Sequence, residues 1–150
     1  MKKQPKALLI LILVLSALIS CQKTIDDFGT NGDPAQARTV ENISGLYALT
    51  GLTWSYQGAT INVYDSLDAC EKDDLYKFSK DMNLYSIDAG VPCSPPGDET
   101  ESWLLRNDSI FIGTAKDGAR IKSFDGTTLV LDGAPTNEPL VKAVTTFTKQ

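Results

Sequence analysis

Trp103-Leu104-Leu105-Arg106-Asn107-Asp108-Ser109-Ile110-Phe111-Ile112 is the stretch that decides the fold class. Asn107-Asp108 sets two turn-forming residues between two short β-rich runs, which is the pattern of a two-residue hairpin loop. The pattern recurs where Asp125-Gly126, a strong type I′ signal, separates Ala119–Phe124 from Thr127–Leu131. Working outward, similar runs cover Leu46–Trp54 with a bend at Gly51, Ile61–Tyr64, Leu75–Phe78, Met82–Ile87 after a tip at Lys80-Asp81, and Val141–Thr148. No 11-residue window carries a helical period. The sequence therefore predicts an all-β domain, an antiparallel up-and-down eight-stranded barrel spanning 43–150. A two-sheet sandwich fits less well, because its crossovers need longer connections. Closure would also remove exposed strand edges.

Composition narrows function by exclusion. The 150 residues are 42% hydrophobic and 22% charged, enough for one domain with a modest core. There is no histidine. Ser-His-Asp and Cys-His nucleophilic sites, His-ligated zinc or haem, and imidazole pH switches are all excluded. The net charge of −5 argues against nucleic-acid binding, which would call for a basic face.

The first 21 residues read as an address. Lys2, Lys3 and Lys6 precede an apolar run from Ala7 to Ile19 interrupted only by Ser16. That run is shorter than the ~20 residues that span a bilayer, and it suits a signal-peptide h-region. Leu18-Ile19-Ser20-Cys21 resembles a bacterial lipobox. The resemblance implies removal of residues 1–20 and lipidation of Cys21 with acyl chains such as palmitate. Several chains at ~0.8 kcal/mol per buried methylene anchor a protein essentially permanently. Three of the 14 basic residues and none of the 19 acidic ones precede Cys21, so the processed chain carries −8. Lipid, not surface charge, must therefore supply attachment to an anionic membrane. Gln22, where Asp would resemble an inner-membrane retention signal, resembles an outer-membrane address; Asp26-Asp27 resembles an acidic export signal for the cell surface, and the periplasmic and cell-surface faces both stay open. Residues 21–42, with Gly29, Asn31, Gly32, Asp33 and Pro34, read as a flexible tether reaching about 25 Å.

With Cys21 lipidated, Cys70 and Cys93 remain, and an oxidising compartment makes their disulfide the default. It would close a loop worth ~3 kcal/mol and pin together the loops flanking the Leu75–Ile87 hairpin. A redox dithiol or half a metal site are the alternatives. The spacing is not Cys-x-x-Cys and no His is at hand.

Asp68-Ala69-Cys70-Glu71-Lys72-Asp73-Asp74-Leu75-Tyr76-Lys77-Phe78 resembles the Cys, two residues, Asp-Asp, then Phe signature of bacterial lipocalin-like domain lipoproteins. Gly90-Val91-Pro92-Cys93 is similar to that family's second Cys element, Ser102-Trp103-Leu104 to its middle strand, and Ile121-Lys122-Ser123 with Thr128–Leu131 to its late hairpin. The likeness covers roughly Ser44 to Phe147. Gly45-Leu46-Tyr47 stands where the family's Gly-x-Trp plugs the barrel floor. The resemblance implies a lipocalin-like fold and a small envelope protein, and leaves its ligand undefined.

Asp65, Asp68, Glu71, Asp73 and Asp74 crowd one stretch. Their spacing fails the EF-hand pattern, so the expectation is a solvated loop in which Asp73 or Asp74 fixes a turn or caps backbone amides, with no metal. Paired carboxylates for glycoside hydrolysis need a sugar cleft that strands of about five residues hardly provide, so no enzyme and no cofactor are expected. Tyr76, Phe78, Leu84, Trp103, Leu105, Ile110, Ile112, Ile121, Leu129 and Leu131 alternate so as to line the barrel interior. If they leave a cavity, the protein carries a small apolar or amphipathic ligand. If they interdigitate, it is a ligand-free structural or protein-interaction module. Periodicity does not separate the two.

Overall fold

The computed structural model describes residues 37–95, 97–115, 117–133 and 140–150. The signal segment 1–20, Cys21 and the tether to residue 36 lie outside the described residues.

Nine strands follow one another: β1 Gly45–Tyr56, β2 Ala59–Asn62, β3 Leu75–Phe78, β4 Asn83–Ile87, β5 Glu99–Arg106, β6 Ser109–Ile112, β7 Ala119–Phe124, β8 Thr128–Gly133 and β9 Lys142–Lys149. Every pairing is antiparallel. From β3 to β9 each strand pairs with the next, and β1 pairs with both β3 and β9. Eight strands thus close a barrel, as the turn pattern predicts. The ninth, β2, pairs only with the far half of β1, Thr53 to Tyr56, and stands outside the ring. Closure therefore leaves one open edge among the described residues.

The turns follow local chemistry. Asn107 and Asp108 both take positive φ, 47° and 58°, as a type I′ loop requires. Gln57-Gly58, with φ of 48° and 85°, makes the same turn between β1 and β2. Asp125-Gly126 does not: only Gly126 is at positive φ. Instead the Asp125 carboxylate accepts the N–H groups of Thr127 and Thr128 at 2.8 and 2.6 Å, holding a three-residue connection. Residues 61–64 do not form one strand, because the chain leaves β2 at Asn62 and enters a 3₁₀ turn at Tyr64–Ser66.

The strand ends divide the barrel into a floor and a mouth. The short connections at Ser79–Met82, Asn107-Asp108 and Asp125–Thr127 lie at the floor. A one-turn helix, α1 (Val40–Ile43), closes it. Thr39 caps α1 by accepting the Asn42 N–H at 3.2 Å, and Ile43 is fully buried beneath the barrel. The sequence-derived tether boundary at residue 42 thus falls inside α1. Tyr47 fills the floor: its hydroxyl donates to the Ile43 carbonyl at 2.6 Å and its ring meets Phe78 edge-on at 5.7 Å. Phe78 meets Trp103 at 5.3 Å and Phe147 at 6.1 Å, also edge-on, a geometry favoured by the ring quadrupoles. The Trp103 indole N–H is satisfied by the Ser79 carbonyl at 2.9 Å. These buried side chains fill the lower barrel.

Candidate functional site

Among the described residues, the longer connections gather at the mouth, and one of them covers part of it. Between β2 and β3 the chain forms the 3₁₀ turn and a second one-turn helix, α2 (Ala69–Lys72). Tyr64 and Leu67 pack down onto the core cluster. The Val63 N–H donates to the Leu52 carbonyl at 2.9 Å, and the Glu71 carboxylate accepts the Asp68 N–H at 2.9 Å at the start of α2. Cys70 on α2 is bonded to Cys93 in the β4–β5 connection, Cα to Cα 5.2 Å. The expected disulfide is present and pins the two loops at one end of the β3–β4 hairpin. Asp73 reinforces it by accepting the Val91 N–H at 2.8 Å, the amide-capping role expected for this acidic stretch. Asp88 accepts the Cys93 N–H at 3.1 Å.

Asp74 is held above the ordinary carboxyl range, first by burial and then by its acidic neighbours Asp88, Asp73 and Glu71, against one backbone hydrogen bond from Ala89. Oδ1 of both Asp73 and Asp74 is buried with no hydrogen-bond partner. No group of three or more His, Cys, Asp or Glu among the described residues has the arrangement of a metal site.

What the lid leaves uncovered is an apolar cleft of about 270 Å³ on the β1 and β6–β9 side. Leu131 and Phe147 form its base, Leu52, Ile112 and Thr145 its walls, and Trp54 its lip. The space exists because Ala119, Gly133 and Ala143, on three consecutive strands, carry little or no side chain. A Cβ on Gly133 would lie 3.0 Å from that of Ala119. Among the described residues, no charged side chain lines the cleft.

A β-bulge brings Leu52 and Trp54 to this face. In the β1–β9 ladder Leu49 pairs with Phe147 and Gly51 with Thr146, leaving Thr50 as an extra residue. Tyr47 and Leu49 point inward before the bulge; Leu52 and Trp54 do so after it, paired with Thr145 and Ala143. A second bulge between Ile121 and Ser123 does the same in β7, so that Ile121 and Phe124 are both buried.

Of the ten residues expected to line the interior, Ile112 and Leu131 line the cleft. Phe78, Leu84, Trp103, Ile110, Ile121 and Leu129 are buried in the core, and Tyr76 and Leu105 pack against it. Tyr76 sits edge-on to Phe147 at 5.3 Å, its hydroxyl pushed above the usual tyrosine range by burial and then by Asp74 and Glu71. The sequence reading missed Leu52, Trp54, Ala119, Gly133, Ala143, Thr145 and Phe147 as lining residues. Only the small residues in otherwise bulky strands could have signalled them. Cys21 lies outside the described residues.

A second depression, about 310 Å³, lies on the outer face of β5–β6, beside Leu104 and Phe111. The Arg106 guanidinium already lies 5.7 Å from the Phe111 ring centre, so its apolar wall is partly covered. Compared with known proteins, the chain matches no family model, no curated protein and no solved structure.

Proposed function

We propose that the protein is a lipid-anchored, lipocalin-like protein of the bacterial envelope that binds a small apolar or amphipathic molecule at the mouth of its barrel. The observation that carries the reading is the uncharged, apolar cleft left open beside the stapled lid. Apolar clefts with few polar groups are the usual form of small-molecule sites. At about 270 Å³ the cleft has less than twice the volume of the ~150 Å³ engineered cavity that binds benzene. It therefore takes a ring or one end of a chain, with the rest of the ligand outside. Lacking charge, it receives the ligand's neutral end. The lipobox-like Leu18–Cys21 supports the anchor, and the Cys70-to-Phe78 signature supports the lipocalin-like assignment.

The packed floor favours a second reading, a solid interaction module, in which the cleft is only a surface depression. Titration with an environment-sensitive apolar probe, and with fluorescent fatty acids and retinoid-like probes, separates the two. Saturable binding that weakens at least about tenfold, or ~1.4 kcal/mol, in Ala143→Leu, which fills the cleft, supports the ligand reading. Failure of every probe overturns it in favour of the solid module.

A further inference from the structure

Seven large apolar residues are exposed among the described residues, and five of them, Trp54, Tyr56, Ile61, Val91 and Leu140, stand at the mouth end. Trp54 and Ile61 are directly paired across the β1–β2 hairpin, and Tyr56 lies two residues beyond Trp54, so the three share one face. It is the face on which Trp54 forms the lip of the cleft. The apolar surface of the cleft thus continues without interruption up a hairpin that projects from the ring. That hairpin is also neutral: no charged residue stands between Glu41 and Asp65.

We propose that the mouth docks on the surface of a zwitterionic bilayer, with the β1–β2 hairpin at headgroup depth and the cleft opening toward the lipid. The proposal rests on the cleft being a ligand site and states the route by which the ligand enters it. Three observations select this occupant. Trp and Tyr, with an apolar body and a polar tip, are the side chains that settle at a membrane–water interface. The outer edge of β2 has no strand partner among the described residues, and its backbone groups would be unsatisfied in hydrocarbon, which fixes the depth as shallow. The mouth end carries Asp65, Asp68, Glu71, Asp88 and Asp98 against Lys72 and Lys142, an excess of negative charge. These acidic groups repel an anionic surface and a second acidic copy of this chain, and they complement the ammonium groups of zwitterionic headgroups, which aromatic faces also attract. A ligand passing from bilayer to cleft along Trp54 would not cross water.

Trp54 reports on the test directly, because the other tryptophan, Trp103, is buried. The full chain is mixed with phosphatidylcholine vesicles, with and without brominated acyl chains. The expected result is a blue shift and bromolipid quenching that are absent in Trp54→Phe, lost in Tyr56→Ser/Ile61→Ser, and weaker when phosphatidylglycerol is added. Because the signal comes from position 54, attachment through the N-terminal segment does not mimic it. Both substituted side chains are exposed, and far-UV circular dichroism verifies that the barrel is retained. A Trp54 that stays water-exposed on vesicles overturns the proposal. So does stronger quenching on phosphatidylglycerol, or a blue shift that appears without lipid as protein concentration rises, which would mark a second copy. Apolar-probe binding without vesicles is measured in parallel. Probe binding without a Trp54 response sinks docking alone; a Trp54 response without probe binding supports docking and sinks the ligand reading.

Discussion

Lys149 lays its ammonium against Tyr47, with Nζ 5.5 Å from the ring centre. The same group lies 5.7 Å from Phe124 and donates to the Asn42 carbonyl at 2.8 Å, so one side chain ties the last strand, the floor aromatic and α1 together. Gly45 makes room for it, since a Cβ there would meet the Lys149 stem. Burial pulls the Lys149 amine below its ordinary range, but the aromatic faces and the carbonyl all favour the charged form. Replacement by Met keeps most of the packing volume, removes the charge and leaves the Asn42 carbonyl without this donor. The expected loss is about 1–2 kcal/mol, from one hydrogen bond to a charged donor and a cation–π contact. Chemical denaturation of Lys149→Met measures it. An unchanged midpoint would show that the floor does not depend on this tie.

Tyr47 itself carries the pH dependence on the alkaline side. Burial pushes its hydroxyl up to about 12 from 10.0, and only the neutral phenol can donate to the Ile43 carbonyl. A pKa raised in the folded state means that the contribution is intact below pH 10 and is lost as pH climbs through about 12. Absorbance of tyrosinate should therefore show a late-titrating tyrosine whose ionisation coincides with loss of the barrel signal. Tyr47→Phe should remove the step that coincides with unfolding, leave the raised titration of Tyr76 in place, and lower stability by about 1 kcal/mol at neutral pH.

The Cys70–Cys93 bond should matter more to the lid than to the barrel. It joins α2 to the β4–β5 connection, while every barrel strand is held by its own ladder. Cys70→Ser/Cys93→Ser should cost about 3 kcal/mol through the freed unfolded chain, with far-UV circular dichroism unchanged at low temperature. Limited proteolysis should then cut between Val63 and Asp74 first, where the packing of Tyr64 and Leu67 and the Asp73–Val91 hydrogen bond are left to hold the segment down. Cleavage elsewhere, at a rate equal to that of the parent chain, would mean that the lid needs no staple.

Much of the ring was legible because its punctuation is chemical. Asn107-Asp108 can adopt the two positive φ values that a tight hairpin needs, and alternation in Leu129 and Leu131 marks an inward face. The disulfide followed from the compartment and the count of cysteines. What escaped was set by tertiary context. A bulge is invisible to a period-two count, so the inward phase of β1 after Thr50 and of β7 after Lys122 was lost. The glutamine in Gln57-Gly58 hid a type I′ turn, and with it the length of β1. The cleft was hidden for a different reason, since it is made by side chains that are missing at Ala119, Gly133 and Ala143.

The bulge gives the sharpest test of how the cleft is built. Phe147 and Thr146 are consecutive on β9, whereas Leu49 and Gly51, which pair with them, are separated by Thr50. Deleting Thr50 would therefore leave Leu49 on Phe147, Gly51 on Thr146 and Leu52 on Thr145 in one regular ladder, whose alternation keeps Leu49, Leu52 and Trp54 inward. Tyr47 and Leu49 precede the deletion and would keep the floor intact. The expected variant is a folded barrel whose apolar-probe binding and Trp54 emission stay close to those of the parent chain. Loss of probe binding with Trp54 fluorescence shifted to the red would show instead that β1 slips by one residue against β9 and turns its wall of the cleft outward. Thr50→Ala, which keeps the extra residue and removes the hydroxyl bonded to Thr148, separates the effect of the bulge from that of the hydrogen bond.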